Sequence, residues 1–168
     1  MSKPVEIERK YVIRMPDISI MRAQPGYTVS EIHQTYLTSH AGVTHRVRMR
    51  VFPDKIVYTE TKKVRIDAMS AYEDEREISE DEYLELIGCI APDTHTLTKS
   101  RHTFTSYGQT FEVDIYPEWT RTCILETELS SRDETVTMPD FISVVKEVTG
   151  DKKYSNASMS REFPIELI

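Results

Sequence analysis

Charged side chains recur at every second residue along several segments of this chain, and most of the rows carry a single sign. Arg46, Arg48 and Arg50 alternate with Val47, Met49 and Val51; Glu73, Glu75 and Glu77 form a second row, and Glu6, Glu8 and Lys10 a third. Lys99 and Arg101, Glu112 and Asp114, and Glu126 and Glu128 repeat the spacing, while Glu60 and Lys62 make a mixed pair. Residues two apart in an extended strand share a face, so each row lines one side of a strand. An open antiparallel sheet would turn these rows to water and bury the other face, although solubility asks only for interspersed signs. Neighbours about 7 Å apart repel by roughly 0.6 kcal/mol in water and by about 2 kcal/mol at an effective dielectric near 20, so repulsion alone leaves the open sheet standing. The alternative is a closed barrel with the rows pointing inward and apolar residues outward.

Alternation bounded by Pro, Gly, Asp or Ser predicts eight strands, over 4–14, 32–39, 44–52, 55–63, 71–78, 96–107, 109–116 and 122–130. Phe52-Pro53-Asp54-Lys55 and Tyr107-Gly108-Gln109 are tight-turn sequences that favour antiparallel hairpins. Two segments change period. Ser79 and Glu82 form a capping box ahead of Tyr83, Leu84, Ile87 and Ile90. Phe141, Val144, Val145 and Val148 fall at helical spacing between Pro139 and Gly150, and a weaker helix is expected over Pro16 to Met21. Eight strands suit a small closed barrel, which has no edges to protect. The expected fold is therefore α+β: a closed eight-stranded antiparallel β-barrel with a few short packing helices. It forms a single domain over 1–168, with a core at about 4–160 and a loosely packed tail at 159–168.

A formal net charge of −7 argues against a nonspecific nucleic-acid partner, which requires a basic excess. No apolar run is long enough to span a membrane, and the opening Met-Ser-Lys-Pro-Val-Glu holds no signal core, so a cytoplasmic monomer or homodimer is expected. Cys89 and Cys123 sit in apolar contexts and read as reduced, buried thiols. The five histidines lack zinc-ligand spacing, and neither a serine elbow nor a Gly-rich phosphate loop is present. Phosphate binding must then rest on side chains.

With the rows turned inward and Glu60 left aside, seven cationic side chains face nine anionic ones, and two divalent cations would leave the interior able to hold a polyanion. Carboxylates without His or Cys select hard ions, hence Mg²⁺ or Mn²⁺, one or two of them. Arginine and lysine suit phosphoryl oxygens. Together these residues read as metal-assisted phosphoryl transfer, in which the protein mainly positions and neutralises.

The ordered rows resemble the CYTH proteins, also called triphosphate tunnel metalloenzymes. Their hallmark Glu-x-Glu-x-Lys strand matches Glu6, Glu8 and Lys10. The match continues through Arg46 and Arg48, the strand ending at Lys62, Glu73 and Glu75, Lys99 and Arg101, Glu112 and Asp114, and Glu126 and Glu128. The run from Glu147 to Asn156 looks like the family's closing signature. The resemblance implies an enzyme whose tunnel holds a small-molecule triphosphate, most similar to the bacterial inorganic triphosphatase type. Class IV adenylyl cyclase, thiamine or nucleoside triphosphatase, and a noncatalytic polyphosphate-binding module stand as alternatives. Carried over by position, Glu126 and Glu128 are metal ligands, and Glu6, Glu8, Glu75 and Asp114 share coordination. Glu6, Glu8, Lys10, Glu73 and Glu75 form the catalytic set. Lys10, Arg46, Arg48, Arg50, Lys62, Lys99 and Arg101 contact phosphate oxygens, with Lys153 and Tyr154 near the mouth. Two departures concern one strand: Glu60 stands where the family commonly carries Thr, and Lys63 beside Lys62 leaves its register open by one residue.

Overall fold

A computed structural model describes residues 5–168, so Pro4, the expected first strand residue, lies outside the described residues. The elements are β1 (Val5–Arg14), α1 (Ile18–Arg22), β2 (Thr28–Tyr36), β3 (Val43–Val51), β4 (Ile56–Arg65), β5 (Ser70–Ile78), α2 (Glu80–Ile87), β6 (Leu97–Ser106), β7 (Gln109–Ile115), β8 (Thr122–Glu128), β9 (Val144–Glu147) and α3 (Asn156–Met159). The first eight strands pair antiparallel in the order β5-β4-β3-β2-β6-β7-β8-β1, and β1 returns to β5 to close the barrel. Closure rests on three residue pairs, Val5 with Tyr72, Glu6 with Ala71 and Ile7 with Ser70. The β6–β7 hairpin turns through Tyr107 and Gly108, both at positive φ, as the right-handed strand twist favours.

The alternation decides which side chains face the bore. Tyr11, Ile13, Phe104, Phe111, Val113 and Leu125 point outward and pack against Met21 of α1 and Ile142. Val47, Leu37 and Ile78 pack beneath Tyr83 of α2. At one end even the inward residues are apolar: Val12, Tyr36, Leu97, Tyr116 and Ile124 meet Trp119, Tyr154 and Met159. The bore is a blind pocket, charged at one end and plugged at the other.

Four expectations need correction. The second strand covers Thr28–Tyr36, four residues earlier than 32–39 at its start, because its partners β3 and β6 pin its register. The segment 139–150 is not a helix. Val144–Glu147 forms β9, adding to the edge of β1 that β5 leaves vacant. Main-chain bonds from Arg14 N to Ser143 O and from Val148 N to Lys10 O extend it. Its β-branched valines suit that role. The tail is docked: Phe163 packs edge-on against Tyr116 and Trp119, Trp119 donates to the Pro164 carbonyl, and Glu166 accepts from Arg121 N and Thr122 N. Cys123 is buried but Cys89 is exposed, both as free thiols. The helix expected after Ser79 and the one expected over Pro16 to Met21 are present as Glu80–Ile87 and Ile18–Arg22, capped by Ser79 Oγ accepting from Glu82 N and by Asp17 accepting from Ser19 N. No helix among the described residues is long and apolar enough to cross a membrane.

Candidate functional site

The charged half of the bore is a cavity of about 650 Å³ whose two walls differ in sign. Around the ring, β7, β8, β1 and β5 contribute Glu112, Glu126, Glu128, Glu6, Glu8, Glu73 and Glu75 to one arc. The opposite arc carries Lys63 and Arg65 from β4, Arg46, Arg48 and Arg50 from β3, and Arg101 from β6. Between β3 and β6, β2 turns uncharged acceptors inward. Gln34 Oε1 accepts from Arg48 Nη2 at 2.8 Å and Nε at 3.2 Å, and Ser30 Oγ accepts from Arg50 Nε at 2.8 Å.

Arg101 on the basic arc is paired with Asp114 and, at 3.1 Å, with Glu112, but Arg46 and Arg48 are short of negative partners. Arg48 touches no carboxylate, and burial, then the charges of Arg46 and Arg101, pull its pKa down to about 9. Arg46 approaches Glu73 and Glu75 only at 3.7 and 3.9 Å, and its buried Nε has no hydrogen-bond partner. Such a wall is built for an anion with several oxygens.

The acidic arc has the complementary deficit. Glu6 is pushed up to about 9 by burial and by the hydrogen bond and charge of Glu73, with Glu128 adding to it. Glu8 is raised first by the charge of Glu126, then by burial. Burial also raises Glu112. Glu126 goes the other way, to about 2: burial opposes ionisation most strongly there, but the combined charges of Lys10, 3.4 Å away, Arg101 and Lys99 outweigh it. Where Glu6 and Glu73 share a proton, a cation could occupy the proton's place. The all-oxygen donor set fits a hard divalent ion. Among the described residues no three such side chains converge into a finished coordination sphere.

The structure brings together Glu6, Glu8, Lys10, Glu73, Glu75, Arg46, Arg48, Arg50, Arg101, Glu126 and Glu128 on the cavity wall. Five expected residues lie elsewhere. Lys62 faces outward on β4, and Lys63 takes its place in the cavity, 3.7 Å from Glu73. Thr61 precedes Lys63 by two residues and donates to Glu75 at 2.8 Å, so the Thr-x-Lys spacing exists one residue later than read. Glu60 is outside, held by His45 at 2.6 Å and Arg76 at 2.7 Å. Lys99 and Asp114 are buried beneath the cavity as a 2.8 Å ion pair. Arg101 forks onto both oxygens of Asp114 at 2.8 and 2.9 Å, which leaves that carboxylate satisfied and not free for a metal. Lys153 is exposed and outside the lining. Tyr154 packs its ring near Trp119 in the plug, and only its carbonyl serves the site, accepting from Lys10 Nζ at 3.1 Å.

Sequence reasoning gave no site role to Arg65, Lys152, Thr149 and Asn156 and left Lys63 only as the alternative register to Lys62; all five are on the cavity wall. Thr149, Lys152 and Asn156 belong to a segment that crosses one side of the cavity after β9. Thr149 Oγ1 accepts from Lys10 N at 2.9 Å and donates to Glu147, which Arg9 grips with two bonds of 2.8 and 3.0 Å. Gly150, at φ +74°, packs so closely on Ala68 that an added Cβ would lie 2.6 Å from the Ala68 Cβ. Glycine is required there by conformation and by space.

No family model and no curated protein matches the chain. Among solved structures it is similar to the inorganic triphosphatase NE1496, with 24% identity and a TM-score of 0.60 over 95% of this chain and 96% of that one. It is also similar to the PH1819 protein from Pyrococcus horikoshii OT3, with 22% identity and a TM-score of 0.56 over 76% of this chain and 80% of that one. A conserved hypothetical protein from Pyrococcus furiosus aligns at 20% identity with a TM-score of 0.58. At these identities the likeness is one of fold, and the fold is the barrel that the sequence resemblance implied.

Proposed function

We propose that this chain is a triphosphatase of the CYTH, or triphosphate tunnel metalloenzyme, family, which hydrolyses inorganic triphosphate to diphosphate and phosphate with Mg²⁺ or Mn²⁺. The observation that carries this reading is the division of one cavity into a basic wall, on which Arg48 touches no carboxylate among the described residues, and a facing wall of seven carboxylates. Fold-level likeness to a protein described as an inorganic triphosphatase supports it. Among the described residues the one aromatic ring in the lining is Tyr36, whose hydroxyl accepts from Gln34, and the wall offers little for a nucleobase to stack on.

In this reading Arg46, Arg48, Arg50, Lys63 and Arg101 grip the phosphate oxygens, arginine as a fork and lysine as a point charge. Glu126 and Glu128, with Glu6, Glu8 and Glu75, would hold one or two divalent ions, which would supply charge neutralisation of the transferring phosphoryl group and a more acidic water. Glu73 and Glu75, when ionised, orient the attacking water and accept its proton as the new P–O bond forms and the anhydride P–O bond breaks. Lys10 keeps Glu126 ionised and in place. Phosphate release from inorganic triphosphate, measured with Mg²⁺ or Mn²⁺ and again with chelator, tests the reading. Glu126→Gln should lose at least a hundredfold in rate; release at the wild-type rate by that variant, or with chelator present, would sink the proposal.

A further inference from the structure

We propose that the side-chain amide of Asn156 is a further substrate-binding group, its NH2 donating to a phosphate oxygen of the bound polyanion; this rests on the triphosphate reading above. Asn156 opens α3 and lies on the cavity wall. Its Oδ1 is already committed, accepting from the Tyr116 hydroxyl at 2.5 Å and from Lys99 Nζ at 3.4 Å. Both donors are almost wholly buried beneath the cavity. An ammonium has only protons to offer, so the amide oxygen must face Lys99 and the nitrogen must face the other way. Among the described residues no group accepts from Nδ2, whose two N–H donors are left for whatever occupies the cavity.

The arrangement also accounts for Lys99, which sequence spacing places among the phosphate contacts. Its ammonium lies 2.8 Å from Asp114, off the lining, and its remaining reach goes to Asn156. Lys99 therefore acts as a positioning residue. It fixes which way the amide points and, through a buried donor-acceptor chain, polarises that amide toward donation. A neutral donor on a wall of full charges contacts an oxygen without adding to the repulsion among Arg46, Arg48 and Arg101.

The test follows the Asn156 side-chain NH2 signal, assigned by its through-bond link to the Asn156 backbone, while inorganic triphosphate is titrated into the full chain with chelator present. Both NH2 protons are expected to shift with the midpoint shown by the backbone amides of Arg46 and Arg48. Asn156→Asp, which keeps an acceptor for Tyr116 and Lys99, should melt near the wild type yet bind triphosphate about tenfold to a hundredfold more weakly, as loss of a hydrogen bond to a charged acceptor implies. A side-chain signal that stays still while the backbone saturates would overturn the inference, as would an Asn156→Asp protein of unchanged affinity. If the wild type shows no binding with chelator and neither binding nor phosphate release once Mg²⁺ is restored, the triphosphate reading itself fails, a result separable from either of these.

Discussion

Replacing Arg48 by Met should make the empty protein more stable while weakening its grip on triphosphate. Arg48 is buried among Arg46 and Arg101 with no carboxylate against it among the described residues, and its pKa falls from the ordinary arginine value, more than three units higher, to about 9. At about 1.4 kcal/mol per tenfold, that drop corresponds to about 5 kcal/mol of destabilisation carried by the folded state. The sign follows from linkage: a cation whose folded pKa is depressed costs stability in full below pH 9, and the cost fades only as pH rises toward the unfolded value. Removing the guanidinium also strips Gln34 Oε1 of both its donors, which costs back about 1–3 kcal/mol. The net gain is about 2–4 kcal/mol, or a rise in Tm on the order of 10 °C for a chain of this length. Thermal melts between pH 6 and 8 measure it with and without triphosphate. At a concentration near 100 Kd the wild type should gain about 2.7 kcal/mol from ligand, and Arg48→Met far less. An Arg48→Met protein that melts earlier than the wild type when empty would refute the reasoning, because it would make Arg48 a structural support.

Three further outcomes follow from geometry already described. Because Glu6 is raised from 4.5 to about 9, the folded state binds the extra proton, and stability should fall as pH rises from about 5 through 9; Glu6→Gln should flatten that slope in a Tm–pH series, and an identical slope would remove Glu6 as its source. Gly150→Ala should cost about 2–4 kcal/mol from a left-handed backbone and a crowded Cβ, measured by urea unfolding, with Ala68→Gly in the same chain recovering part. No measurable loss would mean the segment yields freely. Truncation after Glu162 removes Phe163 and the Glu166 acceptors and should cost at least about 3 kcal/mol; a change within 1 kcal/mol would show the tail to be loosely held after all.

The sign pattern of the strands was legible because side-chain parity survives errors of a residue or two at strand ends. Glu6, Arg48 and Glu128 share the bore whichever residue begins the strand. Parity fails where two like residues are adjacent, and Lys62 and Lys63 are distinguished only by the pairing of β4 with β3 and β5. Parity also says nothing about depth, so Lys99 and Asp114 read as cavity residues although they lie beneath it. The valines of 144–148 satisfy both helical and strand periods. What decides between them is the vacant edge of β1, a partner more than a hundred residues away. Asn156 and the docked tail were hidden for the same reason. Their roles depend on Tyr116, Lys99 and Trp119, which the chain brings near only after closure.

The short seam between β1 and β5 has a mechanical side. Three residue pairs convert a curled ribbon into a hoop, and that joint lies where Glu6 meets Glu73 across adjoining staves. A hoop fastened beside a pair of carboxyl groups that share a proton is tightened by its cargo, since a cation that takes the proton's place draws both side chains to itself and clamps the staves together. The amides of Val5 to Ile7 should therefore exchange with solvent fastest when the vessel is empty and slowest when it is full.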